Sequence, residues 1–546
     1  MRWIALLLLA LAMFCAYIFM DILSPIKDLM ESTRGWDSAS FGRMQGAEVF
    51  LNVYVFFLIF AGIILDKMGV RFTAVLSGSV MLIGGFIKFY AVSDSFIGTG
   101  LEQWFTTHLN WNGSLPVIGD ILPFADGMPA SAKLAACGFM LFGCGCEMAG
   151  ITVSRGIVKW FKGRETALAM GSEMALARLG VATCMIFSPY FAKLGGEIHV
   201  DNAVKFGVVL LCIALIMFIT YFFMDKKLDS QTGEAEEKDD PFKISDLGKI
   251  FTSLGFWLVA LLCVLYYSAI FPFQKYAVNM LQCNLDLTAA DASTFWGGDK
   301  VTIVQYLIML VVAVCAFSSN FIKKNKGLKY GLMGLAVIAL VVYCYMGYMR
   351  GTAETIFAVF PLLAVAITPI LGNYVDHKGK AATMLMLGSI LLVVCHLTFA
   401  FILPGVSAKS PAGGVVVAYV TILVLGASFS LVPAALWPSV PKLVDEKIIG
   451  SAYAAIFWIQ NIGLGLFPTL IGKVLENSNA NNAAVIAAKE AIEAGEEGVL
   501  VPYDYKWALV MLASLGIAAL LISVYLKAVD KKKGYGLEEA NIKAEN

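Results

Sequence analysis

Fourteen long apolar runs constrain this chain more than any other feature of it. They fall at about 3–23, 45–65, 72–92, 132–154, 166–192, 204–224, 252–279, 300–320, 328–349, 354–375, 381–403, 414–438, 449–473 and 507–527. Each approaches the ~20 apolar residues that a helix needs to cross a bilayer. None alternates polar and apolar residues as a barrel strand does. Lipid offers backbone groups no water to bond, so such runs are stable there only as helices. Composition agrees: 59% of the 546 residues are hydrophobic and 15% charged, against roughly 25% charged in soluble proteins. A soluble multidomain enzyme, a nucleic-acid binder and a disordered scaffold are excluded, because the polar surface each needs is missing. The expectation is an all-α polytopic membrane protein in direct contact with the lipid bilayer, with no nucleic-acid partner. The 11 cysteines lie almost entirely in apolar runs, the histidines number 4, and no zinc spacing occurs, so no metal or cofactor is expected. Met1-Arg2 and the run to Met20 imitate a signal peptide, but no small-residue cleavage site closes the run, and it reads as the first span.

Lysine and arginine set the orientation. With both termini cytoplasmic, the inner segments hold 25 of the 40 basic residues, and the outer stretch 93–131 holds none. Three polar pieces interrupt the spans. The mixed-charge stretch 225–250 reads as a cytoplasmic linker between a six-span half, 1–224, and a second half, 251–546, with a cytoplasmic tail at 529–546. The outer stretch 93–131 carries Trp104, Phe105, Trp111 and Phe124, and the outer stretch 474–505 contains a short helical pattern, Asn482 to Glu497. Both read as solvated caps or, alternatively, as a partner surface.

One pattern occurs twice. Gly62-Ile-Ile-Leu-Asp66-Lys67-Met-Gly69-Val-Arg71 follows the second run, and Gly372-Asn-Tyr-Val-Asp376-His377-Lys378-Gly379-Lys380 comes much later. Both read G-x-x-x-D-x-x-G beside a basic residue, in a short inner loop. Glycine permits positive φ or close helix approach, and the aspartate can pair with a base or cap a helix. The expectation is a pair of conformational latches built on Asp66, Lys67, Arg71, Asp376 and Lys380. This repeat resembles the loop signature of the major facilitator superfamily, which implies two six-helix halves and alternating access around a central cavity. Setting aside one hairpin, 300–349, leaves twelve spans divided six and six by the linker. Its turn, Lys323 to Lys326, is basic, so it enters and returns from outside as an insertion.

Further motifs narrow the likeness. They are Gly145-Cys-Glu147, Trp160-Phe161-Lys162-Gly163-Arg164-Glu165, Ala177-Arg178-Leu179-Gly180, and Tyr266-Tyr267 before Phe271-Pro272-Phe273. Late spans add Ala435-Leu436-Trp437-Pro438, Gly450-Ser451-Ala452-Tyr453 and Ile459-Gln460-Asn461-Ile462-Gly463-Leu464. In this order they are similar to the family of major facilitator superfamily domain-containing protein 1. That resemblance implies carriage of dipeptides, a lysosomal address in animals and an accessory membrane protein as partner. The hairpin 300–349, the long outer stretch 93–131 and the near absence of chain before the first span depart from that family, and the last favours a bacterial inner membrane over a lysosome.

Charges inside a bilayer cost about 2.5–3.5 kcal/mol or more each, so they mark function by default. Glu147 and Arg178 lie in successive antiparallel spans. They are expected either to receive the ammonium and carboxylate of a zwitterionic peptide or to form a structural ion pair. Glu173 lies five positions before Arg178, on another face, and reads as an interfacial or helix-packing residue. Tyr266, Tyr267, Gln460 and Asn461 are further candidate substrate contacts, and Pro272 a candidate hinge. Asp21 and Glu48 read as an outer gate or as interface residues, and His396 as a proton relay or a bonded core histidine. No nucleophile, metalloprotease or phosphate-loop pattern occurs, so no catalytic residue is expected. The functional expectation is a carrier of small polar metabolites, dipeptides or short peptides first; an organic-anion or sugar carrier and a non-transporting receptor are the alternatives.

Overall fold

The computed structural model describes residues 1–111, 122–161, 166–232, 248, 250–285, 299–319, 322, 325–350, 352–444 and 449–540. Lys162 to Glu165, most of the linker, and Lys323 and Lys324 of the hairpin turn lie outside the described residues. Nineteen α-helices are used below. The first nine are α1 (Arg2–Asp21), α2 (Lys27–Arg34), α3 (Ser38–Gly46), α4 (Phe50–Tyr54), α5 (Phe57–Val92), α6 (Gly100–Thr107), α7 (Ala130–Phe161), α8 (Thr166–Ala192) and α9 (Val200–Thr232). The rest are α10 (Leu254–Leu285), α11 (Asp299–Ser319), α12 (Lys326–Arg350), α13 (Ala353–Lys378), α14 (Ala381–Leu397), α15 (Leu403–Ser407), α16 (Pro411–Leu443), α17 (Ile449–Asn479), α18 (Ala483–Glu493) and α19 (Lys506–Lys533). No strand occurs among the described residues.

Twelve helices among the described residues are long and apolar enough to cross a membrane. The described residues thus account for twelve of the fourteen expected spans, and two places make the difference. The run 45–65 is not one helix: α3 passes into a 3-10 turn, Ala47–Val49, then α4, and Phe56 takes a left-handed φ of 55° before α5 begins. The runs at 45–65 and 72–92 then meet in α5, whose two helical pieces join at Gly69, with φ 77° and ψ 168°. The second place is α11, whose described apolar part, Val304–Ser319, is too short to count as a span.

Contacts divide the described residues into two compact units. The first is Met1–Pro241 with Gly465–Tyr503, and the second is Phe242–Leu464 with Asp504–Asn546. Within the first, α5 packs on α7 and α9, and α1 packs on α8 and α9. Within the second, α14 packs on α16 and α19, and α10 on α19. The two units thus repeat one packing scheme, α5–α7, α5–α9 and α1–α9 answering to α14–α16, α14–α19 and α10–α19. In the hairpin, α11 and α12 pack against each other, and the apolar window of α12 is only 28% buried, the least of the twelve. Tyr343 of α12 donates its hydroxyl to the Thr355 carbonyl at 3.0 Å, which fixes the hairpin to α13.

Candidate functional site

The interior of the first unit is set by close helix approach. A Cβ on Gly180 would lie 2.6 Å from the Phe14 carbonyl oxygen, so only glycine lets α8 come this near to α1. Arg178 is thereby brought to Tyr17 of α1, its Cζ 5.9 Å from the ring centroid, at the outer limit of a cation–π contact. Tyr17 also lies within electrostatic reach of Glu173 and Glu147, and Arg178 acts on Glu173 as well. Arg178, Glu147, Glu173 and Tyr17 are all half-buried. Glu173 was expected on a different face from Arg178, and the guanidinium nevertheless acts on it electrostatically. Tyr17 was not anticipated. Its only signal was a lone hydroxyl-bearing residue in the most apolar part of the first run.

In the second unit, Tyr266 is fully buried and its hydroxyl bonds the Ser428 hydroxyl at 2.7 Å, which donates in turn to the Gly388 carbonyl at 2.8 Å. Tyr266 therefore ties α10 to α16 and α14. The Tyr267 hydroxyl accepts from the Trp437 indole at 3.2 Å. Its ring lies 5.4 Å from Phe271 and 6.3 Å from Phe429. Gln460 accepts from the Cys263 thiol at 3.3 Å, and Asn461 is buried beside it in sequence. Pro272 sits inside α10, which continues through it. His396 is fully buried, its Nδ1 2.9 Å from the Leu392 carbonyl and its ring 5.1 Å from Phe273, the environment of a bonded core histidine.

The duplicated loop is duplicated in geometry. Gly69 has φ 77° and Gly379 φ 72°, both left-handed, which is what the closing glycine of the motif supplies. The opening glycines, Gly62 and Gly372, are helical and face open space, so neither close approach nor positive φ explains them. Asp66 accepts from the Arg155 guanidinium at 2.5 Å, across to α7. Asp376 acts electrostatically on Lys442 of α16. Arg71 reaches Asp229 of α9 at 3.0 Å and Asp225 at 3.9 Å, Lys67 is exposed, and Lys380 lies 3.6 Å from Glu538. The tail is docked there: the Thr383 amide donates to Glu538 at 2.8 Å and the Lys442 ammonium to the Gly536 carbonyl at 2.9 Å. Asp225 and Asp229, placed in a linker by their composition, are part of α9 and anchor Arg71 within the first unit.

Asp66→Asn should shift the conformational balance and leave ligand selectivity intact. A partly exposed pair contributes about 0.2–1 kcal/mol, up to roughly a fivefold population change. Labelling of cysteines introduced at the Met1 end of the first unit should change by that factor. Unchanged labelling with an altered substrate profile would contradict the latch.

Residues 9–353, more than half of the chain, match the Major Facilitator Superfamily. The lysosomal dipeptide transporter MFSD1 of Bos taurus is 24% identical over 367 residues, 66% of this chain and 62% of that protein. The Homo sapiens protein of the same name is 24% identical over 368 residues, 66% of this chain and 63% of its own length. The chain thus spans less than two thirds of these relatives. Among solved structures, the nucleoside transporter NupG superposes with a TM-score of 0.53 at 12% identity, covering 96% of this chain and 99% of the other. A D-xylose-proton symporter gives 0.54 at 11% identity, covering 95% and 96%. These likenesses concern the fold. With the repeated packing scheme and the doubled loop, the family match places this chain: it is a multi-pass membrane protein belonging to the Major Facilitator Superfamily.

Proposed function

We propose that this chain is a transporter that moves short peptides, dipeptides first, across a membrane by alternating access. The observation that carries the substrate class is the convergence of Arg178, Glu147 and Glu173 on Tyr17 inside the first unit. A dipeptide at neutral pH bears one carboxylate and one ammonium. The guanidinium fork of Arg178 suits the carboxylate bidentately, and Glu147 supplies the charge an ammonium needs. The dipeptide transport named for the relatives supports the same reading. In it, Tyr267, Gln460 and Asn461 are further substrate contacts, Pro272 serves as a hinge, and Asp66, Arg71, Asp376 and Lys380 act as latches. The chemistry is translocation, with no bond made or broken. Both termini face the cytoplasm, following the Lys and Arg bias, in a bacterial inner membrane or, as in the relatives, a lysosomal one. An accessory membrane protein belongs to this reading through the family resemblance.

Uptake by liposomes containing the purified protein tests it. Labelled dipeptide should enter, and free dipeptides should compete better than sugars or nucleosides. Glu147→Gln should weaken competition by free dipeptides more than by N-acetylated ones, since the amide keeps shape and loses charge. Binding without flux would identify a receptor, and flux of sugar or nucleoside without peptide would overturn the substrate class.

A further inference from the structure

At the end of the first unit opposite Met1, one phenol lies between two carboxyl groups. The Tyr503 oxygen is 2.5 Å from Glu31 Oε1 and 2.7 Å from Glu476 Oε1. A phenol has one hydrogen and can donate only one of these bonds. The other contact is either accepted from a protonated carboxyl or is a bare approach of two electron-rich oxygens, which burial makes costly. Tyr503 is 2% exposed and Glu31 4%. Burial, and then the charges of Glu31 and Glu476, hold the phenol of Tyr503 well above its ordinary value, so the hydroxyl keeps its own proton.

The donors around each carboxyl identify the protonated one. Glu476 accepts from the Lys489 ammonium at 2.5 Å and from the Ser38 amide at 2.9 Å, besides Tyr503. Glu31 accepts from Lys27 at 2.9 Å and has Tyr503 as its other partner. Leaving the shared phenol aside, two donors at Glu476 against one at Glu31 favour the ionised form at Glu476, so the proton sits on Glu31, which donates to Tyr503, which donates to Glu476. The charged groups facing the cluster are Lys27 of α2, Asp37 before α3, Glu476 of α17 and Lys489 of α18. Lys27 lies 4.8 Å and Lys489 5.6 Å from the Tyr503 ring centroid. Burial alone would lower the pKa of Lys489, but the bond to and charge of Glu476 raise it. With Glu31 neutral, the two lysines are matched by Glu476 and Asp37 and the charge closes at zero.

We propose that Glu31, Tyr503 and Glu476 form a proton-binding site: Glu31 holds one proton in the packed arrangement, and its loss releases the segment 494–503 from α2. The same segment is otherwise held to α2 by the Gly498 amide, which donates to the Ser32 hydroxyl at 3.3 Å. Packing is favoured while the proton is bound and weakens as pH rises through the titration of the site, because two carboxylates then face one phenol hydrogen. The inference does not rest on the substrate, and its test needs no transport.

Hydrogen exchange at the amides of 494–503 in the full-length protein in nanodiscs, from about pH 5 to about pH 9 and corrected for intrinsic exchange, reads the packing. Wild-type protection should fall with rising pH, about tenfold per unit of pKa difference between packed and released states. Glu31→Gln donates to Tyr503 without titrating, so its protection should stay high and flat; Tyr503→Phe should be poorly protected throughout. A wild-type profile as flat as that of Glu31→Gln would overturn the proposal, and so would a titration that survives unchanged in Glu31→Gln. Infrared difference spectra of the wild type across the same range give a check that needs no variant. They should show the loss of one protonated-carboxyl band, and its absence would also overturn the proposal.

Discussion

Purified Arg178→Ala protein is expected to remain folded and to lose dipeptide uptake. A guanidinium that clamps a carboxylate and is desolvated by the bound ligand contributes about 2–5 kcal/mol to binding, so affinity should fall by at least about thirtyfold. Arg178→Lys should fail as well, because an ammonium cannot reproduce the planar fork. A dipeptide amide isolates the cause: it lacks the carboxylate, and wild type and Arg178→Ala should bind it equally weakly. If Arg178 instead only neutralises Glu147 and Glu173 around Tyr17, Arg178→Ala should lose thermal stability and the double variant with Glu147→Gln should regain it. Full uptake by Arg178→Ala would remove Arg178 from the site.

The largest effect on stability is expected at Asp225. This carboxylate is 1% exposed and gathers Lys159 at 2.7 Å, the Trp160 indole at 2.8 Å, the Tyr221 hydroxyl at 3.3 Å and Arg71 at 3.9 Å. Breaking a buried ion pair by removing one partner costs about 3–5 kcal/mol. Here Lys159 and Arg71 keep Asp229, at 2.8 and 3.0 Å, and both are partly solvated, so Asp225→Ala should cost about 2–3 kcal/mol. Asp225→Asn retains acceptors for Trp160 and Tyr221 and should recover part of that loss. Thermal unfolding in detergent checks both. Equal stability for all three proteins would mean that Asp229 and solvent suffice.

The apolar runs made the helical membrane fold legible, because a bilayer leaves a chain few other ways to satisfy its backbone. The doubled G-x-x-x-D-x-x-G loop made the internal repeat legible, and Gly69 and Gly379 share the left-handed turn that its spacing implies. Glu147 and Arg178 stood out by cost alone, since charge within an apolar run is rare without a use. Hydropathy could not report the break near Phe56 or the non-helical kink at Gly69, because a local φ change leaves composition untouched. It also assigned Asp225 to a linker by polarity, although its charge is matched by bases on α5 and α7.

What the sequence by itself determined is the helical membrane class, the repeat and the few charges worth explaining. Only the tertiary structure decided which of those charges meet. Tyr17 joins Arg178 because Gly180 allows two backbones to touch. Tyr266 is committed to Ser428, 162 residues away. Glu31 faces Tyr503, 472 residues along the chain. Periodicity encodes only what a residue shares with its own helix, whereas a buried polar group is satisfied by whatever partner packing delivers.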